Sequence, residues 1–293
     1  MVKYKKILVA TDYSDQARKA LVEAVRLARR DDAELHVLYV EVIALQGVGL
    51  YVDPQMEHVR DMREVSLGAG QDVATNYAKS FPRVVRDRSE AAGILRYAAE
   101  NAVDLIVLGT HGRGAVPELI MGSVAQTVVR ESPVSVLVVG PHAGPLHTRC
   151  ILAPVDFSAK SAASLAQAGR LAAAHGARLV ALTVVDFNRV EHPEELQIGE
   201  REERAGPQLA RFIAEAALPV KADTRVAVGP AADAIIRIAA EQEAGLIAMG
   251  ASGHSAFQRL MLGSVCRAVV RGAPCPVLIH REAGTPAEQR VAA

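Results

Sequence analysis

The sequence predicts an α/β fold built from two tandem, doubly wound, five-stranded parallel sheets. Three observations carry this. The pattern Gly109-Thr110-His111-Gly112, nine residues, Gly122-Ser123 recurs as Gly250-Ala251-Ser252-Gly253, nine residues, Gly263-Ser264, at a constant offset of 141. A period that long is a duplicated domain rather than a solenoid unit. Apolar runs such as Ile106-Val107-Leu108 and Val136-Leu137-Val138-Val139 lack polar alternation, as strands buried on both faces do. These runs alternate with helical patterns, which right-handed crossovers arrange on both faces of an open sheet.

In the first copy the strands are expected over Lys6 to Thr11, Glu34 to Val42, Arg83 to Arg86, Leu105 to Thr110 and Val134 to Val139. Their counterparts are Cys150 to Val155, Arg178 to Asp186, Val220 to Val228, Leu246 to Gly250 and Pro276 to His280. Helices beginning at capping-type serines run from Ser14 to Arg30 and from Ser158 to His175. Longer ones cover about Pro54 to Lys79 and Pro193 to Ala216, and shorter ones Ser89 to Asn101 and Ala231 to Glu243. The last pair, Ser123 to Arg130 and Ser264 to Arg271, begins within each glycine pattern. Domains are therefore expected over 1–140 and 149–282, with a linker at 141–148 and a disordered tail at 283–293. The stretch Ile43 to Pro54 reads as a surface loop or a flap, and the linker histidines His142 and His147 read as solvated.

Half of the 293 residues are hydrophobic, enough for a core in each copy. Lys plus Arg equals Asp plus Glu at 33 each, so no global field draws in nucleic acid or an anionic membrane. Cys150, Cys266 and Cys275 have no metal spacing and read as buried thiols of a reducing compartment. With no signal-type or membrane-length apolar stretch, the expected location is the cytoplasm.

Glycines after a strand let a backbone approach a phosphate, and the following helix points its positive end at the same place. For one copy alone, a turn capped by Ser123 or Ser264 explains the pattern equally well. Asp12 and Asp156 end the first strand of each copy, where a carboxylate can meet a base or ribose, cap the next helix, or do both. His111, Arg113 and His254 lie on the glycine loops, and the simpler reading of each is a solvated side chain. There is no Gly-x-x-x-x-Gly-Lys-Ser/Thr loop, no glycine-rich first turn and no Gly-x-Ser-x-Gly elbow, which excludes P-loop, dinucleotide and nucleophile-elbow sites.

With these residues in view, the chain resembles a tandem universal stress protein. The segments that carry the resemblance are Lys6-Ile7-Leu8-Val9-Ala10-Thr11-Asp12-Tyr13-Ser14, Asp104 to Gly112 and Gly122-Ser123-Val124-Ala125, with Ile151 to Ser158, Gly250 to Gly253 and Gly263-Ser264-Val265 in the second copy. The resemblance implies an adenine-nucleotide alpha-hydrolase-like sheet of order 3-2-1-4-5 in each domain. It also implies an ATP, ADP or AMP ligand, with Mg2+ as its companion, and no catalytic or metal-ligating residues. By position, it places phosphate contacts at Gly109, Gly112, Gly122 and Ser123, and at Gly250, Gly253, Gly263 and Ser264. The nucleoside end falls to Thr11, Asp12 and Val40, and to Val155, Asp156, Val184 and Gly229, with Arg113 and His254 as further contacts. The implied role is regulatory, in a stress response, with at most slow ATP hydrolysis; an interaction scaffold with vestigial pockets is the alternative. Fifth-strand pairing would give an intrachain pseudo-dimer, and a further homodimer is compatible with it. Two departures from the family pattern separate the copies: Arg88-Ser89 stands where the second has Gly229-Pro230, and Asp104 where the second has Gly245.

Overall fold

A computed structural model describes residues 3–45, 50–51, 77–111, 121–186, 198–251 and 262–281. The chain divides into two compact units, one holding Lys3–Val139 and the other Gly140–Thr285.

The first unit contains β1 (Lys6–Ala10), α1 (Asp15–Asp31), β2 (Glu34–Val42), the two-residue strands β3 (Ala44–Leu45) and β4 (Leu50–Tyr51), β5 (Ser80–Asp87), α2 (Glu90–Glu100), β6 (Leu105–Gly109), α3 (Ser123–Glu131) and β7 (Ser135–Val139). Its main strands are parallel in the order β5-β2-β1-β6-β7, with Lys6 opposite Glu34 and Leu8 opposite Ile106. The second unit contains β8 (Cys150–Val155), α4 (Ala159–His175), β9 (Arg178–Val185), α5 (Ile198–Glu215), β10 (Ala222–Val228), α6 (Ala231–Glu241), β11 (Leu246–Gly250), α7 (Ser264–Gly272) and β12 (Val277–His280). Its order is β10-β9-β8-β11-β12, again parallel. Both units thus have the order 3-2-1-4-5 counted within each copy.

The unalternating apolar runs are the buried central strands. Ile7, Leu8 and Val9 are fully buried, as are Ile151, Leu152 and Ala153. Helix α1 packs on β1 and β6, and α4 packs on β8 and β11. Helices α2 and α3 pack together, as do α6 and α7. Ser14 Oγ accepts from the Ala17 N–H and Ser158 Oγ from the Ser161 N–H, both at 3.2 Å, so the serines before these helices are caps. Each cap contributes about 1 kcal/mol. No described helix is long and apolar enough to cross a membrane.

Several expectations change. Strand β5 starts at Ser80 rather than Arg83, because Pro82 is tolerated where the strand pairs within its unit only with β2. Residues 77–79 are not helical, and the rest of the long helix expected before them lies outside the described residues. Ala44–Leu45 and Leu50–Tyr51 pair antiparallel, so the described part of the expected loop is a small ribbon. Residues 140–149 pack with the second unit, where the Gly144 N–H donates to the Pro274 carbonyl at 2.8 Å. The tail at 283–293 lies outside the described residues. All three cysteines are free and buried, and burial pushes the Cys266 and Cys275 thiols up to about 12.

The exchange of Asp104 for Gly245 has a packing cause. The Asp104 N–H donates to the Lys6 carbonyl and the Gly245 N–H to the Cys150 carbonyl, both at 3.0 Å, so the backbones match. In the first unit the Asp104 carboxylate accepts from the Lys5 N–H at 2.8 Å and the Lys6 N–H at 3.3 Å. In the second unit His147 fills that space: a Cβ on Gly245 would stand 2.1 Å from the His147 carbonyl oxygen and 2.2 Å from its Nδ1. His147 is thus a half-buried packing residue, not the solvated side chain expected.

His36 introduces a pH dependence. Its ring is buried between Phe81 and Tyr97, with Nδ1 2.7 Å from the Tyr97 hydroxyl and Nε2 3.6 Å from Glu34. Burial, helped by Lys6 and Arg83 and opposed by Glu34, holds its pKa below the ordinary 6.5. The unfolded chain therefore binds this proton more readily. The His36 contribution to stability is fully present above pH 6.5 and is lost as pH falls through the lowered folded value. Thermal melts from about pH 7 to pH 5 should show a shallower decline for His36→Gln than for the parent. Equal slopes would remove His36 as a source of that decline.

Candidate functional site

The site elements meet at the carboxyl ends of the strands, where ligands bind in open α/β sheets. In the first unit the turn after β1 is closed by its own side chains. Thr11 Oγ1 accepts from the Tyr13 N–H at 3.0 Å, and Asp12 Oδ1 accepts from the Ser14 N–H at 3.0 Å. Tyr13 has φ 65° and stacks on Tyr39 with 5.3 Å between ring centroids. The second unit repeats the turn. Asp156 Oδ1 accepts from the Ser158 N–H at 3.1 Å and from its hydroxyl at 2.6 Å, and Phe157 has φ 64°. Phe157 meets Phe212 edge-on at 5.4 Å. A bulky residue in the left-handed region is strained, and such strain concentrates at functional turns. Both acids therefore support the helix start, as one of the two sequence readings held.

The glycine pattern is more selective than expected. The Gly122 N–H donates to the Thr110 carbonyl at 2.8 Å and the Gly263 N–H to the Ala251 carbonyl at 3.0 Å. These amides are already satisfied within the protein. The donors open to a ligand are one step on. Gly122 and Gly263 are the N-caps of α3 and α7, and neither helix has a side-chain cap. The first-turn N–H groups after them, beginning at Ser123 and Ser264, are the groups a helix leaves without intrahelical partners. Ser123 and Ser264 are exposed at this point.

In the second unit these parts enclose a cavity of about 440 Å³, within the range of small-molecule sites. Val155, Asp156, Val184, Gly250, Gly263 and Ser264 of the expected set line it. Gly229 is not on its wall. At φ 130°, a conformation that side-chain-bearing residues rarely adopt, it turns the chain from β10 into α6. The first unit makes this turn without positive φ, and Ser89 caps α2 there through the Ala92 N–H. Val40 is buried over α2, since a Cβ on Gly93 would lie 2.6 Å from Val40 Cγ1. Gly109 lies tight against α1, where an added Cβ would stand 3.0 Å from the Gln16 carbonyl. Gly112, Arg113, Gly253 and His254 lie outside the described residues. His111 is buried, with Nδ1 3.0 Å from Thr110 Oγ1, and is not the solvated loop residue expected.

Sequence reasoning missed several polar lining residues, five of which matter most to the charge and hydrogen bonding of the site. Asp186 follows β9 and accepts from the Ala231 N–H at 3.3 Å. Ser161 is on α4, and Arg201, Arg204 and Gln208 are on α5. The spacing 201, 204, 205, 208 puts these residues on one face of the helix expected from Pro193 to Ala216, but spacing alone does not say that this face meets the strand ends.

The universal stress protein family model matches residues 3–140 and again 147–281. The chain belongs to the universal stress protein family. Each copy is about the size of a single-domain relative. A universal stress protein of Staphylococcus haemolyticus is 34% identical over 142 residues, covering 47% of this chain and 86% of its own. One of Staphylococcus aureus is 36% identical over 144 residues, with the same coverage. The fold also matches a solved universal stress protein from Archaeoglobus fulgidus, with a TM-score of 0.66 at 22% identity, over 96% of this chain and 97% of that one.

Proposed function

We propose that this universal stress protein binds an adenine nucleotide, ATP or AMP, with the phosphates at the first turn of α7 and, in the first unit, of α3. The observation that carries the reading is the cavity of the second unit. One wall of it is an uncapped helix start and another is the acid-bearing turn after the first strand. An uncapped first turn favours a polyanion through its N–H groups and its positive dipole end. The apolar side chains of Val155, Val184 and Ile235 on the same wall suit a base. A Mg2+ ion carried on the phosphates needs only one or two protein carboxylates, and Asp156 and Asp186 are the carboxylates on this cavity.

The chemistry is binding rather than turnover. Asp156 is already engaged by the Ser158 N–H and hydroxyl, which suits a positioning group better than a base for water. Bound nucleotide acts by favouring one conformation, to the extent of its differential affinity. The two copies end their third strand differently, at Arg88 and at Gly229, so unequal occupancy is expected. Calorimetric titration of the full chain with ATP and AMP, together with mass spectrometry of small molecules that copurify, tests the reading. Saturable binding is the expected result. No heat and no copurifying nucleotide would favour a nucleotide-independent scaffold instead.

A further inference from the structure

We propose that Arg201 and Arg204 form a second anion-holding pole in the second unit's cavity, so that its preferred ligand is a nucleotide carrying another anionic group on its sugar. The inference rests on the nucleotide reading above and names the ligand class more narrowly. The two arginines lie on one face of α5, three residues apart, and both line the cavity. Like charges at that spacing repel and weaken a helix unless something anionic meets them. Three other exposed arginines meet a glutamate four residues on: Arg96–Glu100, Arg211–Glu215 and Arg237–Glu241. Arg204 meets Glu200 at 3.0 Å, whereas Arg201 makes no ion pair among the described residues.

The positive groups of the cavity are also spread apart. The first pole is the start of α7, tied to the end of β11 by the Gly263 N–H on the Ala251 carbonyl. The second is on α5, which packs over β9 and β10. Strand β8 lies between β9 and β11, so these two are separated by two strand spacings, roughly 10 Å. A 5′-phosphate chain seated at α7 leaves α5 facing the nucleoside, and an added phosphate on the ribose brings charge toward it. The acids on the wall are engaged by the backbone: Asp156 accepts from the Ser158 N–H and Asp186 from the Ala231 N–H.

The test is calorimetric titration of the full chain with adenosine 3′,5′-bisphosphate, 5′-AMP and adenosine. The parent should bind the bisphosphate about tenfold or more tightly than AMP. The exposed pair Arg201→Gln and Arg204→Gln, introduced together, should erase that preference, bringing the ratio of bisphosphate to AMP affinity to within about twofold of one. AMP binding with no gain for the bisphosphate overturns the second pole and leaves the nucleotide reading standing. A preference that survives in the double variant also overturns it. If the variant weakens adenosine as much as the bisphosphate, the arginines stack on the base, and the proposal is wrong. If neither nucleotide binds, the nucleotide reading fails and this inference fails with it.

Discussion

Gly263→Val should abolish nucleotide binding to the second unit. Gly263 sits at φ −57° and ψ 145°, an extended conformation that valine adopts freely, so the helix start survives the change. Its N–H still reaches the Ala251 carbonyl at 3.0 Å. The residue lines the cavity, however, and its neighbours are the open N–H groups of α7. Three added carbons there take up the space a phosphate needs. The expected loss is at least about a hundredfold in ATP affinity, or about 2.7 kcal/mol, with the melting midpoint nearly unchanged. Gly122→Val should do the same in the first unit, where its Cβ would stand 3.2 Å from the Thr110 carbonyl oxygen. Calorimetry on each variant should lose one class of site, and the double variant both. Unchanged ATP affinity in the double variant would refute the placement of phosphates at these helix starts.

Gly245→Ala should be the most damaging single-carbon change in the second unit. The added Cβ meets the backbone oxygen of His147 at 2.1 Å, which a rotamer change cannot relieve. Either the segment before β8 lifts away or β11 shifts, and β11 is the interior strand that leads to the glycine loop. Overpacking of this kind costs about 3 kcal/mol, a fall of roughly 5–10 °C in the midpoint for a unit of this size. His147→Gly added to it should restore only part of the loss, because removing the ring leaves the carbonyl in place. Denaturant melts of the full chain should assign the loss to the second unit alone. A midpoint equal to the parent's would mean that His147 does not occupy this space in solution.

The two experiments probe different kinds of information. The strand starts and ends were legible to within a residue or two wherever an apolar run met a turn residue, as at β6, β8 and β11. The serine caps at Ser14 and Ser158 were legible for the same reason, since capping is an exchange between residues three apart. The start of β5 was not, because Pro82 normally argues against a strand and only the position of β5, paired within its unit solely with β2, makes it harmless. The site was half legible. The resemblance placed Asp156, Val184, Gly263 and Ser264 together, and they share one cavity. It did not place Arg201 or Arg204, because nothing in the local pattern says which face of α5 turns toward the strand ends.

By itself the sequence determined the duplication, the parallel strands, and the residues that turn each strand into its helix; the strand order was an expectation from the family resemblance. The first three follow from periodicity and from interactions a few residues long, which are written in adjacent letters. Only the tertiary structure decided that Gly122 and Gly263 spend their amides on Thr110 and Ala251, that His147 stands where Asp104 stands in the other copy, and that two arginines join the wall of a cavity. The physical reason is distance along the chain. Each of these contacts depends on where packing brings a second segment, and packing is settled by the whole core rather than by the residues that meet.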